Sequence, residues 1–237
     1  AGDVNGDGYE DIVVGAPAAS PGGLGTAGEV YVIYGTDTAL PASIDVAAGG
    51  ADVVISGAAA GDQLGRAVAT GDVNDDNFAD LILGAPFSDP DSRNGAGSVY
   101  VIYGGAGLAP TWDLAATPAD LTLIGPGVAS GENLGWRVAA GDVDNDGFAD
   151  ILATAWRAAG LRGQVFMVLG SATLPDTVDT GDSEADLEIT GADLQDFLGD
   201  SITAGDFNVD GFDDIIAGAT GADPGSQLSA GEVFVFF

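Results

Sequence analysis

The stretch Asp3-Val4-Asn5-Gly6-Asp7-Gly8-Tyr9-Glu10-Asp11 decides the fold, because its nine-residue pattern returns three more times along the chain. The other copies are DVNDDNFAD at 72–80, DVDNDGFAD at 142–150 and DFNVDGFDD at 206–214. Every copy has an oxygen-bearing side chain at positions 1, 3, 5 and 9, an aromatic residue at position 7, and Gly or Asn at position 6. Gly and Asn reach left-handed backbone most easily, and a tight turn of alternating oxygen ligands suits a hard cation. The pattern therefore predicts four calcium loops.

The predicted ligands are the side chains at positions 1, 3, 5 and 9 of each loop and the backbone carbonyl at position 7. They are Asp3, Asn5, Asp7, Tyr9 and Asp11 in the first loop, Asp72, Asn74, Asp76, Phe78 and Asp80 in the second, Asp142, Asp144, Asp146, Phe148 and Asp150 in the third, and Asp206, Asn208, Asp210, Phe212 and Asp214 in the fourth. At these positions the third loop has four carboxylates and the others have three each. Such a flexible oxygen cage suits Ca²⁺ better than Mg²⁺, so we expect Ca²⁺ at four sites.

Two alternatives to this interpretation are an EF-hand and a solvated turn without metal. An EF-hand loop begins with the same residues but requires a bidentate Glu at position 12, and it lies between two helices. Position 12 is here Val14, Leu83, Ala153 and Ala217, and each loop is followed by a short apolar run typical of a buried strand. The EF-hand is therefore excluded. A solvated Asp/Asn/Gly turn would explain one copy, but four copies in the same frame favour metal binding.

Each loop belongs to a longer repeat. A Leu-Gly pair precedes the last three loops, and Gly-Ala-Pro follows the first two, with Thr154-Ala155-Trp156 and Gly218-Ala219-Thr220 at the matching places. An alternating apolar segment follows: GEVYVIY from Gly28, GSVYVIY from Gly97, GQVFMVL from Gly163 and GEVFVFF from Gly231. A last apolar segment closes three of the units: VVISGA from Val53, LTLIGP from Leu121 and LEITGA from Leu187. A full unit thus has four predicted strands, a to d, with the calcium loop between a and b.

The repeat length predicts an all-β β-propeller. The first Asp residues of successive loops stand 69, 70 and 64 residues apart, and no helical pattern interrupts the units. A single four-stranded antiparallel sheet cannot bury both of its faces, so neighbouring units must cover each other as the blades of a propeller do. Leu-Gly, the D-x-[DN]-x-D-G-x-x-D loop and Gly-Ala-Pro, in that order, resemble the FG-GAP repeats of integrin α-subunits and their bacterial relatives.

The resemblance covers essentially the whole chain. It implies a propeller of seven blades, with calcium in the a–b loops on one face and ligands on the opposite face at the b–c and d–a loops. We expect blades at about 1–57, without strand a, 62–125, 132–191, and 196–237, without strand d. These blades contain 14 strands, about three and a half blades, or half of a seven-bladed ring. We therefore interpret the segment as part of a longer protein or of an assembly, and we expect no closed four-bladed ring.

The amino-acid composition bears on the cellular location of the chain and on the partners that it can bind. The chain has 37 acidic and 5 basic residues, a net charge of −32, and neither Cys nor His. Nucleic acid and anionic membrane are disfavoured, because each attracts a basic surface. The apolar runs are strand-sized, so direct membrane insertion is not expected. The acidity fits a saline or calcium-rich habitat, or simply a solvated acidic surface. Because millimolar calcium is found outside cells, we expect an extracellular or cell-surface location.

An enzymatic function is not expected, and the third unit holds the candidate ligand-binding residues. Without His, Cys or Lys the chain lacks the usual bases and nucleophiles, and its clustered carboxylates are assigned to metal. Trp156, Arg157 and Arg162 form a Trp/Arg group of the kind that interfaces favour. The alternative is that Trp156 covers a contact between blades and that the arginines offset nearby Asp charges. Arg66 and Arg137, which stand just after Leu-Gly, are interpreted as structural.

These observations predict a calcium-binding extracellular module for adhesion or for recognition of a protein or glycan. The alternative is a calcium-hardened building block of a cell-surface layer, stalk or filament. A recognition module should bind its ligand at the b–c and d–a loops, whereas a building block should self-associate through blade edges.

Overall fold

A computed structural model describes residues 1–38, 40–127 and 131–237, in which sixteen strands form four sheets. The first sheet has the order β1 (Ile12–Ala16), β2 (Glu29–Ile33), β3 (Val53–Ser56), β7 (Thr111–Asp113). The second has the order β12 (Thr177–Asp179), β8 (Leu121–Ile124), β6 (Ser98–Ile102), β5 (Asp80–Ala85), β4 (Ala67–Gly71). The third has the order β13 (Leu187–Thr190), β11 (Gln164–Val168), β10 (Asp150–Ala155), β9 (Leu134–Gly141). The fourth has the order β14 (Leu198–Gly205), β15 (Asp214–Ala219), β16 (Glu232–Phe236).

In the part of the chain that the structure describes, helical structure is limited to single turns. The four-residue helix α1 (Ala158–Leu161) follows β10. Short 3₁₀ turns occur at Pro21–Gly23, Val46–Ala48, Pro90–Ser92, Thr180–Asp182 and Pro224–Ser226. No helix within the described ranges is long and apolar enough to cross a membrane.

The second sheet shows how one repeat becomes one blade. Strands β4, β5, β6 and β8 pair antiparallel in chain order, with Leu81 opposite Ile102 and Leu83 opposite Tyr100. Successive side chains of a strand point to opposite faces of its sheet, so each strand presents one row of apolar residues to each neighbouring blade. This arrangement explains why β5, which lies between two paired strands and two covered faces, is apolar almost throughout.

The cores lie between the blades. Val30 of the first sheet shares one buried cluster with Leu81 and Leu83, whereas Val99 and Val101 share another with Ile151 of the third sheet. Further apolar clusters join the third and fourth sheets. Burial of each such side chain contributes about 1.5–3 kcal/mol, so the sheets depend on one another for stability. The architecture is that of a partial β-propeller and confirms the all-β class.

Two short strands were not predicted. β7 and β12 lie in the c–d connections of the second and third repeats, but each pairs in parallel with the outer strand of the preceding sheet. The 14-strand count is therefore too low by two within the described residues. Their apolar residues explain the pairing, because Trp112 and Val178 pack against the cores between the blades. These crossing strands bind each blade to the one before it.

The two terminal sheets each have one uncovered face. Val233 and Val235 of β16 are 69% and 41% exposed, whereas the matching Val99 and Val101 of β6 are fully buried. On β1, Ile12 is likewise exposed. The first and last strands belong to different sheets, so they do not complete one blade together.

Candidate functional site

The nine-residue loops lie at one end of the strands. Loops 72–80, 142–150 and 206–214 connect β4 to β5, β9 to β10 and β14 to β15, and loop 3–11 leads into β1. This is the a–b connection of the predicted blade. Since the strands of one blade alternate in direction, all four loops lie on the same face of the propeller.

Within each loop the position-1 carboxylate organises the turn. In the second loop Asp72 Oδ1 accepts a hydrogen bond from the Asp76 N–H at 3.2 Å, and Asp72 Oδ2 accepts one from the Asn77 N–H at 2.9 Å. The side chains at positions 3 and 5 also point inward: Asn74 Oδ1 accepts from Asp76 N–H, and Asp76 Oδ1 from Phe78 N–H. The chain therefore wraps around its own carboxylates, which brings positions 1, 3 and 5 together.

The other loops repeat this pattern. The position-1 carboxylates of Asp3, Asp142 and Asp206 each accept at least two backbone N–H bonds of 2.8–3.1 Å from positions 4 to 6. The position-5 carboxylates of Asp7, Asp146 and Asp210 each accept the N–H of the aromatic position 7 at 2.9–3.0 Å.

Backbone conformation explains the sequence at position 6. Gly8, Asn77, Gly147 and Gly211 all have positive φ, between 68° and 99°. Position 4 is also left-handed, which the sequence analysis missed because its residues share no chemical type. They are Gly6 (φ 73°), Asp75 (φ 58°), Asn145 (φ 57°) and Val209 (φ 64°).

The position-9 carboxylates are buried beneath the loops. Asp80 is fully buried, and its two oxygens accept N–H bonds of 2.8 Å from Val73 and Gly104. Burial raises the pKa of Asp80 to about 7, against the lowering effect of these two bonds. Burial likewise raises the pKa of Asp150 to about 6 and that of Asp11 above its usual range. A nearby cation would favour the charged form of all three.

The third loop contains the tightest acidic group. Ligand oxygens of Asp142, Asp144 and Asp146 lie within 4.8 Å of one another, and no other described residues form such a group. Asp144 supplies the third carboxylate of this group, whereas the other loops have Asn at the same position. Loss of water contact and then the charge of Asp146 raise the pKa of Asp144. The donor set is oxygen only, which fits a hard divalent cation.

Neighbouring loops are hydrogen-bonded to one another. The N–H groups of Ala79, Ala149 and Asp213, all at position 8, donate to the position-1 carbonyls of the preceding loops, Asp3, Asp72 and Asp142, at 2.8–2.9 Å. In addition, the aromatic ring of Phe78 occupies the space beside Gly6, so a Cβ on Gly6 would overlap it. The four loops therefore form one continuous rim rather than four independent turns.

At the opposite end of the strands lies an aromatic row. Trp136 and Trp156 are stacked with centroids 4.7 Å apart, Phe87 meets Trp136 edge-on, and Phe197 lies 5.2 Å from Trp156. The row crosses from the second sheet to the fourth. It lies at the start of strand a and the end of strand b, opposite the nine-residue loops.

Arginines surround this row. The guanidinium of Arg66 lies 4.1 Å from the Trp136 ring centroid, that of Arg137 lies 5.3 Å from it, and that of Arg157 lies 5.8 Å from the Trp156 centroid. The structure thus brings the predicted residues Trp156 and Arg157 together but gives Arg162, which is exposed at the end of α1, no ring contact.

The row extends further than the sequence indicates. Trp136 and Phe197 come from different repeats, so nothing in their local sequence reveals that they meet. A pattern was nevertheless available: Arg66, Trp136 and Asp200 each follow a Leu-Gly pair, and they contact one another across three blades.

The four-sheet arc, with a carboxylate-centred loop leading into the second strand of each repeat, defines a partial β-propeller built from one repeated unit. The FG-GAP repeat family matches residues 1–33, 64–102, 134–164 and 198–236. The chain therefore belongs to the FG-GAP repeat family.

Similar proteins include phospholipases and integrin α-subunits. The phosphatidylinositol-glycan-specific phospholipase D of Mus musculus is 36% identical over 163 residues, 68% of this chain and 18% of that protein. Integrin alpha-5 of Xenopus laevis is 30% identical over 230 residues, 94% of this chain and 19% of that protein. Integrin alpha-4 of Xenopus laevis is 28% identical over 165 residues, 69% of this chain and 14% of that protein. The chain thus spans less than a fifth of each relative's length.

Proposed function

We propose that the chain is a calcium-binding recognition or adhesion module, with one Ca²⁺ in each of the four loops. The observation that carries the metal proposal is the inward turn of the position-1, -3 and -5 oxygens around a common centre, closest in Asp142, Asp144 and Asp146. In each loop these side chains, with the position-9 carboxylate and the position-7 carbonyl, would hold the ion. The ion would neutralise carboxylates that otherwise repel one another.

The metal's proposed role is structural. All of the proposed ligands come from the protein, so the sites offer little open coordination for substrate chemistry. The hydrogen bonds between neighbouring loops would carry the rigidity of one occupied loop to the next. Calcium would therefore stiffen a whole face of the propeller and leave the opposite face for contact with other molecules.

Recognition is proposed for that opposite face. There the b–c and d–a loops meet the aromatic row and its arginines, and Phe87 remains 37% exposed. The similarity to integrin α-subunits supports a protein ligand. We propose no catalytic activity for this segment, since it has no His, Cys or Lys. The similarity to the phospholipase covers 18% of that enzyme, so it does not support the same activity in this chain.

An extracellular or cell-surface location is part of this proposal. Calcium-stabilised loops suit a millimolar calcium concentration, which is found outside cells. The large negative charge keeps such a module soluble and becomes smaller as each loop takes up a divalent cation.

Titration of metal-free protein with Ca²⁺ by calorimetry tests the metal sites, with direct metal analysis of the dialysed protein. We expect four bound ions, and three after Asp146→Asn. The matched variant Asp144→Asn removes the same charge from the same loop but creates the Asn that the other loops have at position 3, so it should still bind four. A stoichiometry of zero would refute the metal proposal.

The second candidate, a self-associating building block, rests on the uncovered blade faces. Val233 and Phe237 are 69% and 84% exposed, although Val99, which matches Val233, is fully buried in its own blade. Sedimentation velocity at several concentrations in calcium separates the candidates. A recognition module should remain largely monomeric, whereas a building block should form assemblies that Val233→Asp abolishes.

A further inference from the structure

The further inference concerns the arginine–tryptophan cluster, which we define as Arg66, Arg137, Arg157, Trp136 and Trp156. It rests on the proposed recognition function and names the chemistry of the ligand. Three of the five basic residues of the chain are in this cluster, in a protein with 37 acidic residues. The cluster is therefore a local cationic spot on a strongly acidic molecule.

A backbone irregularity sets the direction of two cluster residues, Trp136 and Arg137. Between β9 and β10 the register shifts, so that Gly135, Trp136 and Arg137 stand opposite Thr154 alone. Bulges of this kind re-aim side chains, and Gly135 takes the positive φ of 86° that this one requires. The Thr154 hydroxyl accepts the Arg137 N–H at 3.1 Å and fixes the bulge.

The arginines of the cluster form no ion pair among the described residues. Within residues 1–38, 40–127 and 131–237 the one ion pair joins Arg93 to Asp179, so no cluster arginine has a carboxylate within 4 Å. The nearby Asp200 instead accepts hydrogen bonds from the Trp136 indole N–H at 3.0 Å and the Thr220 hydroxyl at 3.1 Å. In so acidic a chain a structural arginine would find a carboxylate easily, so the missing pairs favour an external anion.

The two tryptophan rings of the cluster pack against its guanidinium groups and against each other, so their faces are not free to stack on a ligand. Trp136 packs against the Arg66 guanidinium at 4.1 Å and against Trp156 at 4.7 Å. A guanidinium over a ring keeps its in-plane N–H donors available, and this fork matches a carboxylate. Among the described residues, Arg66 and Arg157 donate no side-chain hydrogen bond, whereas Arg137 donates one to the Trp136 carbonyl.

We infer that the arginine–tryptophan cluster binds a single carboxylate presented by a segment of a partner protein. The charge of the surrounding surface distinguishes between the possible classes of partner. An extended polyanion, such as a polyuronate, would lie across the surrounding acidic surface and be repelled, whereas one carboxylate among neutral residues can approach the guanidinium groups without covering that surface. The partner segment thus carries an Asp or Glu side chain, or a chain terminus, without acidic neighbours.

The test is a fluorescence titration in saturating calcium. In a Trp112→Phe background the emission comes from Trp136 and Trp156 alone, the two remaining tryptophans. The probe is a capped Gly/Ser peptide with one Glu, and its matched control has Gln. We expect saturable binding of the Glu peptide near 1 mM, and at least about tenfold weaker binding of the Gln peptide.

Two variants assign the effect to the cluster. Arg66→Gln and Arg137→Gln should each weaken the Glu peptide by about tenfold, while Arg162→Gln, with the same loss of charge and no ring contact, should change it by less than about twofold. A calcium titration and a thermal melt of each variant show that it is folded and metal-loaded.

Three results would overturn the inference: no saturable response to the Glu peptide, equal binding of the two peptides, or equal effects of Arg66→Gln and Arg162→Gln. Arginine-dependent binding of an oligogalacturonate without binding of the Glu peptide would refute the protein partner. Peptide binding by a protein that takes up no calcium would instead refute the metal proposal and leave this inference standing.

Discussion

Calcium removal should lower the melting temperature of this chain by about 20 °C. The perturbation is chelation, which leaves groups such as Asp142, Asp144 and Asp146 with their ligand oxygens within 4.8 Å of one another and no cation between them. An ion present at a hundred times its Kd, and bound only by the folded chain, contributes about 2.7 kcal/mol per site. Four equivalent sites then contribute about 11 kcal/mol.

The entropy of unfolding, which scales with chain length, converts this free energy into a shift of the melting temperature. At about 2.1 cal/mol/K per residue, unfolding of the 237 residues has an entropy near 0.5 kcal/mol/K, so about 11 kcal/mol corresponds to roughly 20 °C. The assay is calorimetric melting with millimolar calcium or with chelator. Loss of one site through Asp146→Asn should lower the calcium-loaded midpoint by about 5 °C, a quarter of the total.

The substitution Asp146→Asn tests the effect of the carboxylate charge separately from that of the turn's hydrogen bond. The Asn side-chain oxygen can still accept the Phe148 N–H bond of 3.0 Å, so the turn keeps its hydrogen bond and loses a carboxylate. Glu232→Gln, at an exposed position outside the loops, is the control for net charge. Coincident melts with and without chelator, or an equal shift in Glu232→Gln, would show that the reasoning is wrong.

Four further substitutions, at three positions, test backbone strain, an ion pair and ring packing. Val209 has the left-handed φ of 64°, where the third loop has Asn145, so Val209→Asn should stabilise the chain by about 1 kcal/mol in chemical denaturation; no gain would contradict the claim of backbone strain. Asp179→Asn breaks the bidentate pair with Arg93 (2.6 and 2.8 Å) and should destabilise by about 1–3 kcal/mol. Arg93 holds the pKa of Asp179 below its usual range, so this difference should be present at neutral pH and vanish in acid as the carboxyl is protonated; a difference independent of pH would exclude the ion pair as its cause. The buried indole N–H of Trp156 has no acceptor among the described residues, so Trp156→Phe should change stability by less than about 1 kcal/mol, while Trp156→Ala should cost about 3 kcal/mol in the same denaturation assay; equal losses would show that the indole is needed.

The fold was predictable from the sequence because local and repeated signals agree. The loop, the Gly-Ala-Pro turn and the alternating strand recur at a nearly constant period, and each repeat forms the same three or four antiparallel strands. The positive φ at position 6 follows from its Gly and Asn residues. Position 4 shows the limit of this approach, since Val209 adopts a conformation that its own preference opposes.

The crossing strands escaped prediction because their partners lie far away along the chain. β7 has three residues and pairs with β3, which lies more than fifty residues earlier. A three-residue segment is too short to show a periodic pattern of apolar residues. Its parallel pairing with another blade is decided instead by the burial of Trp112 between blades. Such pairing depends on tertiary packing, which overrides weak local preference.

The face that carries the aromatic row shows the same limit. Each nine-residue loop is encoded locally, so it can be recognised in any one repeat. The arginine–tryptophan cluster instead takes Arg66 from one blade and Trp136 from the next, and Trp136 contacts Asp200 of the blade after that; all three stand at the same repeat position. Because the position after Leu-Gly lies on a bulge in the third and fourth repeats and contacts neighbouring blades, it can vary in chemistry while the propeller is preserved. The repeat therefore separates a fixed, proposed metal-binding rim from a variable face, and it is on the variable face that specificity for a partner would be set.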